Sequence, residues 1–340
     1  MRFKGQLRLL SLTIVASTAL FAASGYHLLK KIPHGGEGGW DYLTFDPDSG
    51  RLFVSRATHV IVLDPLTGKV VGDIPDTPGV HGIALAPELG RGFVSNGRAG
   101  TVTIFDLKTL ATIGHANAGQ NPDAIVYDPA SKRVFAMNGR SGDSTAIDAA
   151  TGAVVDTVPL EGKPEFAVAD GRGRVYVNLE DKSQLVVLDS RKLQVVARWP
   201  LAPCEQPTGL AIDLEHRRLF SGCGNKLMAV LDADSGKVIT TLPIGSGVDA
   251  TAFDPGLQNA YASNGDGTLT VIHEETADKF TVVENVATQR GARTMTLDPA
   301  THRVYLVTAD FGPAPQATPS QPRPRPAIVA NTFVVLVFGK

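Results

Sequence analysis

The stretch Asp41-Tyr-Leu-Thr-Phe-Asp-Pro-Asp-Ser-Gly-Arg-Leu-Phe-Val-Ser55 decides the fold. It runs from a polar residue through a short β-run and an Asp-Pro turn into a second β-run. Aromatic and branched residues suit strands, while Asp bonds backbone groups two residues on and Pro presets φ for a tight turn. The same pattern returns as DAIVYDPASKRVFAMN from Asp123 and as DATAFDPGLQNAYASN from Asp249. Looser copies begin at His81, Glu165, Thr208 and Arg293. The first β-run of each copy ends at Asp46, Ala86, Asp128, Asp170, Asp213, Asp254 and Asp298, at intervals of 40, 42, 42, 43, 41 and 44 residues. Further β-runs follow, joined by turns such as Asp64-Pro-Leu-Thr-Gly68, Asp148-Ala-Ala-Thr-Gly152 and Asp232-Ala-Asp-Ser-Gly236.

Four short strands at a period near 42 predict an all-β fold, a seven-bladed β-propeller with four-stranded blades. Residues 25–340 then form one domain, although the length of 340 residues would otherwise suggest two. The last copy has strands a and b (Thr294 to Leu297, Val304 to Thr308) and a strand c (Thr332 to Phe338), but no strand d. A strand without an owner, Tyr26 to Ile32, stands at the other end. The N-terminal strand is therefore expected to close the last blade, which leaves no open edge at the junction. Residues 313–326 are Pro-rich and interrupt the last blade between strands b and c. They read as a tolerated extended insertion, with a partner-docking arm carrying Arg323 and Arg325 as the alternative.

Residues 1–24 lie outside the repeats. Arg2, Lys4 and Arg8 precede the apolar run Leu9 to Ala23, and Ala22-Ala23-Ser24 supplies small residues for cleavage. This pattern predicts a signal peptide and a periplasmic or secreted product, with an uncleaved anchor as the alternative. No later apolar run is long enough to span a bilayer, so no transmembrane segment is expected after cleavage. The chain carries 32 cationic and 34 anionic side chains. Loss of the three leader cations leaves 29 against 34, a balance that makes nucleic acid an unlikely partner. A monomer is expected.

Phe93-Val-Ser-Asn96-Gly97, followed by Thr101-Val-Thr-Ile-Phe-Asp106, resembles the YVTN repeat of YncE-like propellers. Tyr261-Ala-Ser-Asn264-Gly265 before Thr268-Leu-Thr-Val-Ile272, and Pro207-Thr-Gly-Leu-Ala211, fit the same repeat. The resemblance covers Tyr26 to Phe338 and implies the fold. It does not imply one activity, since such propellers include extracytoplasmic proteins without a known role and relatives of 6-phosphogluconolactonase and of d1-haem proteins. Arg56, Leu179, Cys223 and Thr308 stand where Asn is usual. The Gly-His and Trp-Asp pairs of WD40 repeats are missing.

In a propeller, strand a lines the central channel, and the resemblance implies binding on the face formed by the d–a and b–c loops. Five residues before each aligned position stand Asp41, His81, Asp123, Glu165, Thr208, Asp249 and Arg293, all polar. Such a ring at the channel mouth suits a small molecule, a peptide or a protein, or else simply faces water. Arg56, Asn96, Asn138 and Asn264 at the ends of strand b extend the candidate binding set. His34, Glu37, His59, Arg98, His115 and Arg140 occupy loops of the same face. No His pair has ligand spacing, so no metal and no cofactor are expected. His216, His273 and His302 fall on the opposite face or on outer strands and read as structural or surface residues. Cys204 and Cys223 flank strands a and b of the fifth blade on one face, which makes a disulfide plausible and leaves two free thiols as the alternative.

No Gly-x-Ser-x-Gly elbow, phosphate loop or EF-hand occurs. The expectation is therefore a non-catalytic binding scaffold. The alternative is a lactonase-like hydrolase or a lyase in which Asp123 or Glu165 acts as base and His81 or Arg293 stabilises negative charge.

Overall fold

The computed structural model describes residues 1, 25–36, 38–316, 324 and 326–340. The expected leader cleavage region, Glu37, Arg323 and Arg325 lie outside the described residues. Seven four-stranded antiparallel sheets follow one another along the chain. Their first strands are Leu43–Asp46, Val80–Ala86, Pro122–Asp128, Pro164–Ala169, Pro207–Asp213, Val248–Asp254 and Thr294–Asp298. Each of these inner strands meets both of its neighbours, so they form a closed ring around the channel. The protein is a seven-bladed β-propeller. Among the described residues the only helical segments are the single turns Pro87–Leu89 and Glu180–Lys182.

The turn aspartates stabilise the a–b corners. Asp46, Asp128, Asp213, Asp254 and Asp298 are buried, and each accepts backbone N–H bonds from two residues on. Asp64, Asp106, Asp148 and Asp232 cap the c–d turns in the same way. Apolar side chains of strands a, b and c fill the space between blades, as with Phe53 against Phe105 and Phe220 against Phe253.

The last sheet runs in the order His27–Pro33, Val334–Gly339, Arg303–Thr308, Thr294–Asp298. The N-terminal strand thus supplies the outer strand of blade seven, with pairs from His27–Gly339 to Pro33–Val334. Ile32 is 4% exposed and packs with Leu63, Val335 and Val337. Its Cγ2 lies 2.8 Å from where a Cβ would stand on Gly68, whose φ of +81° already favours glycine. The joint therefore reaches over to the c–d turn of blade one. Tyr26 extends it the other way, toward blade six. Its buried ring meets Tyr261 edge-on, with the two hydroxyls 2.8 Å apart, and its O–H donates to the His302 carbonyl at 2.7 Å.

Ile32→Ala is expected to cost about 2–5 kcal/mol, the range for truncating a buried Ile. Leu28→Ala, at an exposed position of the same strand, is expected to stay within about 0.5 kcal/mol of the parent. Urea unfolding of the two variants measures both. Equal effects would mean that the strand contributes little to closure.

Candidate functional site at the channel mouth

Strand a does not enter the sheet smoothly. Register shifts fall between Val80 and Ile83, Pro122 and Ile125, Pro164 and Ala167, Pro207 and Leu210, and Val248 and Ala250. His81, Asp123, Glu165, Thr208 and Asp249 sit within these bulges. A bulge leaves its extra residue unpaired and re-aims the side chain, here at the rim of the ring. Asp41 and Arg293 stand just before the first strands of blades one and seven.

Buried side chains from strand b brace the bulges, often across a blade boundary. The Ser95 hydroxyl accepts from Gly82 N–H at 2.8 Å and donates to the Asp123 carbonyl of the next blade. Ser263 donates to the Arg293 carbonyl in the same way. Asn178 Nδ2 donates to the Thr208 and Gly209 carbonyls at 2.9 and 3.1 Å. Ser55 Oγ accepts from Asp41 N–H at 3.0 Å. None of these four residues was among the expected site residues. The recurring polar residue just before the end of strand b is the signal that could have found them.

Asp41, His81, Asp123 and Glu165 come together on one side of the ring. His81 Nδ1 lies 2.6 Å from Asp41 Oδ2 and 3.7 Å from Asp123 Oδ1. These three donors lie within 4.8 Å of one another, close enough to share a cation. The His81 ring sits directly over Gly97, where an added Cβ would come 2.7 Å from Nε2. Glu165 pairs with Lys163 at 2.5 Å, and Lys163 also pairs with Glu180. Asp249 is drawn to Arg293 instead, with Nε–Oδ2 of 3.1 Å.

Burial opposes charge on His81, but the Asp41 hydrogen bond and the charges of Asp123, Asp41 and Glu165 outweigh it and push the imidazolium up to about 9. Burial raises Asp123 to about 6, with His81 pulling down and Asp41 pushing up. Burial and then the Asp123 charge raise Glu165 to about 8, against the pull of Lys163. Near neutral pH the cluster thus combines a charged imidazolium, a largely ionised Asp123 and a largely protonated Glu165.

Tyr42 and Phe166 stack at 4.9 Å beneath this cluster. Burial, then the charges of Asp123, Asp41, Glu165 and Asp249, hold the Tyr42 phenol well above its usual range. Below this aromatic floor the channel continues as a mostly apolar cavity of about 440 Å³, lined by Ile83, Ala124, Leu210, Ala252 and Leu297 among others. The charged groups named above thus gather at the mouth, while threonines are the polar side chains of the cavity below.

Beside Arg293 opens a second cavity of about 430 Å³, lined by Trp40, Phe311, Pro326, Ile328, Arg290 and Arg293 over a glycine floor. Phe311 and Ile328 pair across the base of the Pro-rich insertion. The insertion thus frames this slot. Trp40, Phe311 and the slot itself were not foreseen, because they meet only where blades seven and one join.

Not every expected residue reaches the mouth. Asn96, Asn138 and Asn264 are buried and donate to Thr101 and Thr103, to Asp143 and Thr145, and to Thr268 and Thr270 of their own blades. At the end of strand b they serve the b–c turn. Arg56 is 4% exposed, stacks 3.8 Å over the Phe333 ring and donates to the Gly35 carbonyl at 3.3 Å. It clasps the closing junction. The Thr208 hydroxyl donates to the carbonyls of Gly222 and Val248 at 3.3 and 3.1 Å. Cys204 and Cys223 are joined by a disulfide, with Cα atoms 5.8 Å apart. It lies beside an open groove of about 770 Å³ that also carries Glu180 and Gln206.

The sequence model of the family described as outer membrane protein assembly factor BamB matches residues 98–311, more than half of the chain. The chain belongs to this family. No curated protein matches it in sequence. Among solved structures it is similar to the RRP9 WD40 repeats, with a TM-score of 0.75 at 9% identity over 93% of this chain and 98% of that one. It is likewise similar to U3-55K, with a TM-score of 0.74 at 8% identity over 92% and 98%. At such identities the likeness is one of fold. No helix among the described residues is long and apolar enough to cross a membrane.

His81, Asp123 and Glu165 all hold protons more tightly in the folded chain than in the unfolded one. Folding therefore takes up protons, and stability falls as pH rises. The His81 contribution is complete below its unfolded value near 6.5 and is lost through about 9. Asp123 and Glu165 become unfavourable as they ionise through about 6 and about 8. The melting temperature is expected to drop between about pH 5 and pH 8, and to drop less in Glu165→Gln, which cannot ionise. Parallel curves for the two proteins would contradict this assignment.

Proposed function

We propose that this propeller is an exported binding scaffold of the YVTN, YncE-like kind, and that its ligand docks at the channel mouth. The observation that carries this reading is the adjacency of two unlike surfaces. One is the carboxylate–imidazole cluster of Asp41, His81, Asp123 and Glu165 over its aromatic floor. The other is the slot of Trp40, Phe311 and Ile328 with Arg290 and Arg293 at its side. Trp40 adjoins Asp41 in sequence, and Arg293 belongs to both the ring and the slot. A ligand with an amine, a carboxylate and an apolar group matches this pattern: amine to the acidic side, carboxylate to the arginines, apolar group against the aromatic rings. A peptide terminus or a small zwitterion has that chemistry. The leader pattern of residues 1–24 and the membership of the BamB family both favour export.

A second reading rests on the split proton affinities of Asp123 and Glu165. A carboxylate beside a carboxylic acid can take and give a proton in one reaction, which suits the lactonase-like or lyase alternative.

The test is a panel of short aromatic peptides with free or blocked termini. Binding is read by Trp fluorescence, since Trp40 is one of only two tryptophans, and by thermal shift. At least one free-termini peptide is expected to bind and to weaken about tenfold in Asp123→Asn or Arg290→Ala, a loss of about 1.4 kcal/mol. No binder, or binders indifferent to both substitutions, would sink the proposal. Conversion of a bound peptide or lactone detected by mass spectrometry would favour the enzyme reading.

A further inference from the structure

The seven repeats act as internal controls for one another, and one junction departs from the rest. In blades one to five, the residue that follows the strand-c position opposite the start of strand b is Pro65, Leu107, Ala149, Ser190 and Ala233, all buried and none charged. In blade six it is Glu274, 3% exposed. Its strands c and d are also longer, at Thr268–Thr276 and Lys279–Ala287. The partner position changes too. Ser49, Ser131 and Thr301 stand three residues after their turn aspartates and donate their hydroxyls to them. In blade five that place is taken by His216, which faces Glu274 across the blade boundary.

His216 Nδ1 lies 3.0 Å from Asp213 Oδ2 and 2.9 Å from Glu274 Oε1, and the three donor atoms lie within 4.8 Å of one another. The side chains of Asp213 and Glu274 are each 1% exposed, whereas His216 is 35% exposed. Among the described residues, His216 Nδ1 is the polar side-chain atom that faces Glu274, and it stands equally close to Asp213. A carboxylate buried in this way is costly unless a cation serves it. The neighbouring arginines are committed elsewhere: Arg217 to Asp170 and Asp234, Arg218 to Asp232 and Asp278. One imidazole nitrogen offers a single proton or a single lone pair, yet two carboxylates converge on it. Donors about 2.1 Å from a common metal stand roughly 3 Å apart, which is the separation of His216 Nδ1 from each carboxylate oxygen here.

We propose that Asp213, His216 and Glu274 form a site for a divalent transition ion between blades five and six, on the face opposite the channel mouth. The buried carboxylates supply two oxygens and charge, His216 supplies a nitrogen, and its exposed side leaves room for entry and for water. Oxygen and imidazole donors without a thiolate suit zinc, cobalt or manganese. The ion would replace the hydroxyl–aspartate clasp used by blades one, three and seven. The site is independent of the ligand proposed at the mouth and does not rest on it.

Zinc alone, titrated into the full chain by calorimetry, is the direct probe. One equivalent is expected to bind, and bound cobalt is expected to give a visible absorption spectrum perturbed by nitrogen ligation. Glu274→Gln and His216→Gln are each expected to weaken zinc binding by more than about 100-fold, beyond the loss typical of outer partners of a metal site. Asp123→Asn, which alters the acidic cluster at the mouth, is expected to keep the affinity unchanged. If Glu274→Gln fails to fold, His216→Gln decides, because it changes only the half-exposed ligand. Absence of zinc binding, binding that survives both substitutions, or binding lost in Asp123→Asn alone would each overturn the assignment.

Discussion

A ring of seven sheets persists only while its ends are joined, and the joint here is the pairing of His27–Pro33 with Val334–Gly339. Strand pairing supplies direction and register, and Ile32, Leu63 and Val335 supply the apolar seal. The channel mouth depends on this joint directly. Trp40 and Asp41 enter blade one on one side of it, while Arg293 and Phe311 belong to blade seven on the other. The slot between them exists because the two blades are held face to face. Arg56 over the Phe333 ring and Trp40 at 5.3 Å from the same ring add a second connection above the strand pairing. Stability of the closure and geometry of the mouth are thus properties of the same few side chains.

The fold was legible because its signals are local and repeated. An aspartate, two residues of turn and two alternating β-runs lie within about fifteen residues, and turn chemistry of that kind acts over two or three positions. Even the borrowed strand could be read, since a surplus strand at one end matched a missing one at the other. The mouth was legible in outline for the same reason, as counting back from Asp128 reaches Asp123 and counting back from Asp46 reaches Asp41. Pairwise preference within that outline was hidden. Asp249 turns to Arg293 while Asp41 and Asp123 turn to His81. That choice is made by bulges and by buried polar side chains of strand b, whose recurrence marks a position but not its partner. The asparagines at the ends of strand b read in sequence as an extension of the binding set, but each is buried and donates to threonines of its own blade. His216 looked structural because Glu274 is far from it in sequence.

Repetition also gives a measure of what each residue is for. Where equivalent positions agree, as with the aspartate that ends strand a in six of the seven blades, the shared residue serves the architecture. Where one copy differs and its spatial neighbour differs with it, a purpose beyond the blade is indicated. The mouth follows the opposite logic. All seven rim positions are polar but no two adjacent ones are alike, so an almost sevenfold frame presents an asymmetric surface. Symmetry of backbone with asymmetry of side chains lets one rigid ring discriminate the orientation of whatever it holds.

The strand that closes the ring has one more consequence, for the order of assembly. Residue 27 is made long before residue 339, so the earliest strand of the ring must wait for the latest. Six sheets can form in sequence while the chain is still being made, but the N-terminal strand keeps an unpaired edge until Val334–Gly339 reaches it. Closure therefore waits on that one late segment, and any polypeptide halted short of it would carry an exposed apolar rim for quality control to find.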